Sequence, residues 1–365
     1  MSISTKQPFY DPAKTYDENF DDGPFGGFDN PKTHENEGKP QSTFLGYPIY
    51  SPFGIPAGPL LNSKYVISAM KKGFDVVTYK TQRNVQFSVN AFPNVLYVDV
   101  DGDLTLEKAS RPLVGKTETS ADPTHLTITN SFGNPSRGPE FWVDDLRTAV
   151  NAQNDGQLVI MSVVGTIQPG FSDEDYYNDF AATAKLAILT GVKAIEVNLS
   201  CPNVANEGIL CYTKTAVSEI CRRAKEAIGD IPLIAKVGYY SDRQQELLEN
   251  VVKEMVPYVD AICAINTIAA PVVDENGQQA LPGPNRLKSG MCGASIKWAG
   301  LDMVKRLNKI RKKNRYKFEI IGVGGVMNPE DFQEYRDAGA DVVQSATGAM
   351  WNSELGIQVK SELKI

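Results

Sequence analysis

Histidine is nearly absent: the 365-residue chain has two, His34 and His125. A triad built on imidazole, or a multi-histidine metal centre, has too little material, and no metal site is expected. Cysteine is scarce as well. Cys201, Cys211, Cys221, Cys263 and Cys292 are odd in number, well separated and nowhere spaced as Cys-x-x-Cys. That argues against a disulfide framework and against a thiolate-bound zinc or iron–sulfur site, and it fits a reducing cytoplasm. No apolar run reaches the roughly 18–20 residues of a membrane span, and MSISTKQPFYDPAKTYDENF at the start has no apolar signal core. Positive charge is in deficit too, 37 Lys and Arg against 44 Asp and Glu, a net charge of −7. Neither nucleic acid nor an anionic membrane surface is an expected partner.

What is present is ordinary for a globular enzyme-sized chain: 42% hydrophobic and 22% charged residues, enough to bury a large core. Residues 1–44 are polar and turn-rich, with DDGPFGGFDNP at 21–31. They read either as an arm ordered by packing its Phe and Tyr residues on the body, or as a flexible tail. From residue 45 the pattern changes. Nearly continuous apolar runs appear at 51–58, 75–81, 157–165, 194–200, 232–238, 260–266, 318–325 and 341–347. Runs of this kind suit buried strands of a parallel sheet. Amphipathic stretches at 173–190, 215–228, 243–256 and 300–313 lie between several of them, with Asp242 and Asn328 as candidate helix caps. Eight strands alternating with helices predict an α/β fold, a closed (β/α)8 TIM barrel over residues 45–365. Two long insertions, 82–135 and 267–294, are candidates to cover a site.

Barrel sites form at the C-terminal ends of the strands. The polar residues at those ends are Lys80-Thr81, the run Asn198 to Asn203 (NLSCPN), Lys236, Asn266-Thr267, Gly324-Gly325 and Ala346-Thr347. The last two turns follow strands seven and eight, where barrels commonly hold a phosphate on glycine-lined backbone N–H groups. Ordinary tight turns are the bland alternative. Lys80 and Lys236 end apolar strands, and a lysine at a barrel mouth calls for an anionic partner. Cys201 begins a loop between amides, where a thiol serves as proton acceptor or nucleophile, although cysteine is also a common core residue. Cys211 is its rival in the same loop; Cys263 reads as core and Cys221 as a helix-face residue. The basic run at 305–317 has helical spacing and reads as a solvated helix face.

NLSCPN at 198–203 resembles a motif of the dihydroorotate dehydrogenases, specifically their soluble, cysteine-bearing class 1 branch. SPFGIPAG (51–58), VTYKT (77–81), TNSFGNPS (129–136), INT (265–267), SGMCGASIK (289–297), GVGG and QSAT follow in the family's order. The resemblance covers about residues 45–355. It implies FMN at the barrel mouth. Cys201 would take the C5 proton of dihydroorotate while hydride leaves C6 for flavin N5. Asn130, Asn198, Asn203, Asn266 and Thr267 would hydrogen-bond the substrate, with Lys80 facing both substrate and flavin. Backbone N–H groups around Phe132, Gly133 and Asn134 would hold the carboxylate. Ala57, Gly58, Thr81 and Gly290 would join the flavin contacts, along with Lys80, Asn130, Asn198 and Asn266. Lys236 would stabilise the reduced ring, and Gly324, Gly325, Ala346 and Thr347 would carry the phosphate. A fumarate-type acceptor, a homodimer and a cytoplasmic location complete the expectation.

Some residues depart from the family pattern. Class 1 chains usually carry a Pro-x-Pro-Arg element after the lysine strand; here the stretch is NAFPNVLYVD (90–99), without the arginine. Ala346 stands where glycine is common, and the N-terminal arm is long. A reductase of uracil- or thymine-type bases resembling dihydropyrimidine dehydrogenase, with Cys211 as acid/base, is therefore an alternative; that family normally lacks the NSFGNPS-like loop. A non-catalytic barrel binding a phosphorylated ligand is another. The membrane-bound class 2 branch is disfavoured, since its base is serine and its N-terminal segment is apolar.

Overall fold

The computed structural model of the chain describes residues 7–36, 38–199, 210–284 and 286–364. Eight parallel strands form one closed barrel. They are β1 (Phe53–Ile55), β2 (Val76–Gln82), β3 (Leu158–Val163), β4 (Ile195–Asn198), β5 (Leu233–Val237), β6 (Ala261–Ala264), β7 (Glu319–Val323) and β8 (Val342–Gln344). Each pairs with the next, and β8 closes on β1 with Val343 opposite Phe53. Every residue of β2 through β6 is buried. Enclosure on both faces is why these segments read as nearly continuous apolar runs.

A helix follows each strand. Asp173–Ile188, Lys214–Ile228, Gln245–Met255 and Lys297–Asn314 match the amphipathic stretches. Asn328 caps Pro329–Ala338 as expected, its side chain accepting from the Asp331 N–H. Asp242 does not cap. Ser241 takes that place, in a reciprocal pairing with Gln244, and Asp242 is the first residue of the short 3-10 turn that leads into the helix. Serine and Gln three residues on form a capping box, which outcompetes a lone aspartate.

The arm is ordered. Phe9, Tyr10, Tyr16, Phe20 and Phe28 are all at most 5% exposed, and burying each contributes about 1.5–3 kcal/mol. A seven-residue helix, Tyr16–Asp22, stands within it, started by a capping box of Thr15 and Glu18. The arm ends in a hairpin, Ser42–Phe44 with Tyr47–Ile49. Phe44 and Ile49 pack against Val76, Leu158, Ile234, Ala261 and Val342 and close the floor of the barrel. The hairpin turn puts Leu45 at φ 51, and its N–H is held by a Glu319 carboxylate oxygen at 2.6 Å. With these side chains filling the floor, the polar strand ends face the C-terminal mouth.

The two insertions build a second closed barrel. Tyr97–Val98, Leu113–Lys116, Thr127–Asn130, Ile268–Val273 and Lys288–Gly293 join edge to edge, antiparallel except where Val272 meets Leu113. Among the described residues, no helix is long and apolar enough to cross a membrane.

Candidate functional site

A cleft lies where the strand ends meet the second barrel. Most strand-end candidates converge on it. Ala57 and Gly58 after β1, Lys236 from β5, Asn266 and Thr267 after β6, Gly324 and Gly325 after β7, and Ala346 and Thr347 after β8 all line it. Asn130 and Phe132 of the NSFGNPS loop close the far side. Asn198 ends β4, level with Lys236; its side-chain oxygen accepts from Asn266 Nδ2 at 3.3 Å. Adjacent parallel strands thereby bring two amides and a lysine together.

Other candidates stand behind the wall. Lys80 is 3% exposed. Its ammonium lies 5.7 Å from the Phe132 ring centre and 6.0 Å from that of Tyr16, a cation–π arrangement. Thr81, one residue on in β2, faces the other way and its hydroxyl is 3.0 Å from that of Ser162. Gly290 pairs with Asn130 across the cap sheet; a Cβ there would fall 2.1 Å from Thr267 Oγ1. Cys201 and Asn203 lie outside the described residues. Cys211 is fully buried, is not part of the cleft wall, and accepts at its carbonyl from the Tyr240 hydroxyl.

Several backbone N–H groups around the cleft have no acceptor among the described residues. Among the described residues, nothing accepts from the N–H groups of Phe132, Gly133 or Asn134. Gly133 and Asn134 have φ of 82° and 52°, so the chain turns sharply there, and three successive N–H groups are left for an acceptor. The N–H groups of Gly324, Gly325 and Ala346 also have no acceptor among these residues. Gly325, at φ 67°, leaves no room for a side chain, since a Cβ would sit 2.7 Å from the Lys297 backbone nitrogen. Lys236 is 4% exposed, and no acceptor or ion-pair partner for its ammonium occurs among the described residues. Thr267 Oγ1 and Asn134 Nδ2 are buried and unpartnered there as well. Burial pushes the Cys292 thiol, in the cleft wall, up to about 12 against an opposing pull from Lys236. Cys292 is therefore a neutral thiol at physiological pH.

Sequence reasoning missed several contributors. Tyr10 reaches the cleft from the arm and meets Phe132 edge-on at 5.3 Å. Asn90 and Asn94 brace the NSFGNPS loop: the Asn90 N–H donates to the Phe132 carbonyl at 3.0 Å, and the Ser131 N–H donates to the Asn94 carbonyl at 3.0 Å. Arg286 supports the same loop from the second insertion. The only local signal for Asn90 and Asn94 was the turn-like NAFPN. Nothing local marked Arg286 or Tyr10.

Comparison with known proteins agrees with this geometry. A family model described as dihydroorotate dehydrogenase matches residues 111–364. A dihydroorotate dehydrogenase of Dictyostelium discoideum is 37% identical over 370 residues, spanning 98% of each chain. A dihydroorotate dehydrogenase B (NAD(+)) catalytic subunit of Petrotoga mobilis is 27% identical over 62% of this chain and 68% of its own length. A dihydroorotate dehydrogenase A (fumarate) of Limosilactobacillus reuteri is 32% identical over 48% of this chain and 53% of its own. The full-length similarity and the family match make this chain a member of the dihydroorotate dehydrogenase family.

Proposed function

We propose that the protein oxidises dihydroorotate to orotate in pyrimidine biosynthesis, using FMN held in the cleft and Cys201 as base. The observation that carries this reading is the row of N–H groups at Phe132, Gly133 and Asn134 with no acceptor among the described residues, suited to a carboxylate at the edge of the cleft. A substrate without that carboxylate leaves the row unsatisfied, at a cost of about 1–3 kcal/mol per buried donor.

The residues fit FMN. The free N–H groups of Gly324, Gly325 and Ala346, beside the side-chain-excluding backbone at Gly325, suit a phosphate. Ala57, Gly58, Ile265, Val323 and Met350 offer an apolar wall for a planar ring. The unpaired Lys236 ammonium suits the negative charge of a reduced ring. When bound, FMN would supply the redox chemistry, as the acceptor of the hydride lost from C6. Cys201 takes the C5 proton, so that the double bond forms between C5 and C6. Asn130, Asn198, Asn203, Asn266 and Thr267 orient the ring, because amides and hydroxyls present donors and acceptors side by side. Lys80, sandwiched between aromatic rings, brings a fixed positive charge to the same mouth. Fumarate is the proposed acceptor, in a cytoplasmic homodimer.

The placement of Cys211 disfavours the dihydropyrimidine alternative, since that thiol is sealed outside the cleft wall. Anaerobic addition of dihydroorotate, dihydrouracil and dihydrothymine to the yellow protein is the direct test. Bleaching by dihydroorotate alone is expected, and bleaching by the uncharged compounds refutes the substrate. Cys201→Ala should keep its flavin absorbance and lose most reduction by substrate; Cys211→Ala should keep both. Turnover with fumarate against NAD then assigns the acceptor, and light scattering the assembly.

A further inference from the structure

Arg286 is 6% exposed, yet no carboxylate pairs with it among the described residues. Its guanidinium is spent on neutral oxygens. Nε donates to Ser131 Oγ at 3.1 Å. Nη1 donates to the carbonyls of Ala91 and Pro282, both at 2.6 Å. Nη2 donates to the Pro93 carbonyl at 2.9 Å, the Ser131 carbonyl at 3.2 Å and Ser131 Oγ at 2.9 Å. Buried charges in folded proteins are ordinarily paired. A guanidinium always carries its proton, so this one keeps a whole positive charge that burial shields poorly from its surroundings.

Its partners are the two loops at the far side of the cleft. The Ser131 carbonyl also accepts from Asn90 Nδ2 at 3.2 Å and Asn94 Nδ2 at 3.3 Å. Three donors therefore converge on one oxygen. In a planar trans peptide the C=O and the following N–H point in opposite directions. Fixing the Ser131 carbonyl toward Arg286 turns the Phe132 N–H away from it, and Phe132 lines the cleft. The same peptide begins the row of unpaired N–H groups that continues through Gly133 and Asn134. Arg286 itself is not part of the cleft wall.

We infer that Arg286 is a positioning residue that sets the preference for a carboxylate-bearing pyrimidine, by locking the Ser131–Phe132 peptide and placing an uncompensated positive charge behind it. The inference rests on the proposed dihydroorotate reading and adds to it. The 90–99 stretch, which has no arginine of its own, is held instead by one delivered from the second insertion, 195 residues away in sequence from Ala91. Both halves of the role are needed. The charge attracts an anion, and the fork keeps the donors aimed.

Equilibrium binding of orotate and of uracil to the flavin-loaded protein tests this, read from the perturbation of the flavin spectrum. Wild type, Arg286→Lys and Arg286→Gln are compared, with flavin content and melting temperature recorded for each. Arg286→Gln should weaken orotate about tenfold or more and leave uracil within about twofold. Arg286→Lys should fall between, since an ammonium keeps the charge but cannot span the same acceptors. Equal weakening of both ligands, or of neither, overturns the inference. If Arg286→Gln does not hold flavin, Arg286→Lys decides: an unchanged orotate-to-uracil ratio overturns it. Wild type binding uracil as tightly as orotate defeats the substrate reading itself, before any variant is considered.

Discussion

The ammonium of Lys360 lies 2.8 Å from a carboxylate oxygen of Asp75, with 1% and 0% of their side chains exposed. Asp75 also accepts from the Ser51 N–H at 2.8 Å and its hydroxyl at 2.7 Å. Lys360 belongs to the C-terminal helix Leu355–Leu363 and donates to Asn36 of the arm as well. One buried pair thus ties the arm and the last helix to the base of β2. Burial pushes the Asp75 carboxyl up and the Lys360 ammonium down; their mutual attraction opposes both shifts. Removing one partner strands the other. Lys360→Met or Asp75→Asn should lose about 3–5 kcal/mol of unfolding free energy, whereas Asp75→Leu with Lys360→Met should recover much of it. Urea melts of the three variants check this; a single variant as stable as wild type contradicts it.

His34 contributes a pH dependence. Burial and the neighbouring Lys360 charge hold its imidazole below the usual value, with Asp75 pulling weakly the other way. The folded chain therefore favours the neutral ring more than the unfolded chain does. Its contribution is complete above the ordinary value of 6.5 and is lost as pH falls through the lower folded value. Stability should decline on acidification below about pH 6.5, and His34→Gln should flatten that part of the profile. Thermal melts between neutral and mildly acid pH measure it, and an identical slope in the variant removes His34 from the account.

Gly290 cannot accept a methyl group without moving Thr267. Gly290→Ala, whose Cβ would lie 2.1 Å from Thr267 Oγ1, should cost about 1–3 kcal/mol through overpacking. Flavin reduction by substrate should fall further than stability does, because the displaced hydroxyl belongs to the cleft. Unaltered reduction kinetics would falsify the placement of Thr267.

Lys236 offers a spectroscopic prediction. Its ammonium has no partner among the described residues, so bound reduced flavin should be its counter-charge. Lys236→Met should release flavin more readily and shift the midpoint potential to more negative values, since the cation that favours the reduced form is gone. Redox titration reads the shift directly, and an unmoved potential argues that the lysine faces elsewhere.

The barrel was legible in the sequence for a physical reason. Strands buried on both faces are mostly apolar along their length, and β2 through β6 show that bias within four to seven residues, with polar residues concentrated toward their ends. The strand-end polar residues followed, because barrel topology fixes where Lys236, Asn266 and Gly325 must emerge. The cap barrel was not legible. Tyr97–Val98 is two residues long, and Leu113 pairs with Val272; no local period encodes a partner that distant. The arm helix had its Thr15–Glu18 capping box in view, but seven residues are too few to display a helical period. Arg286 lies in the sequence GPNRLKS, which gives no hint of the loops it holds.

The cap has a consequence for how this site can vary. Its five strands come from two insertions and close on themselves, with one insertion supplying strands that only the other can satisfy. A loop transplanted alone from a relative would leave backbone donors and acceptors bare along a sheet edge. The insertions therefore constitute a single heritable module, and chimeras that exchange both together should fold where exchanges of either one aggregate.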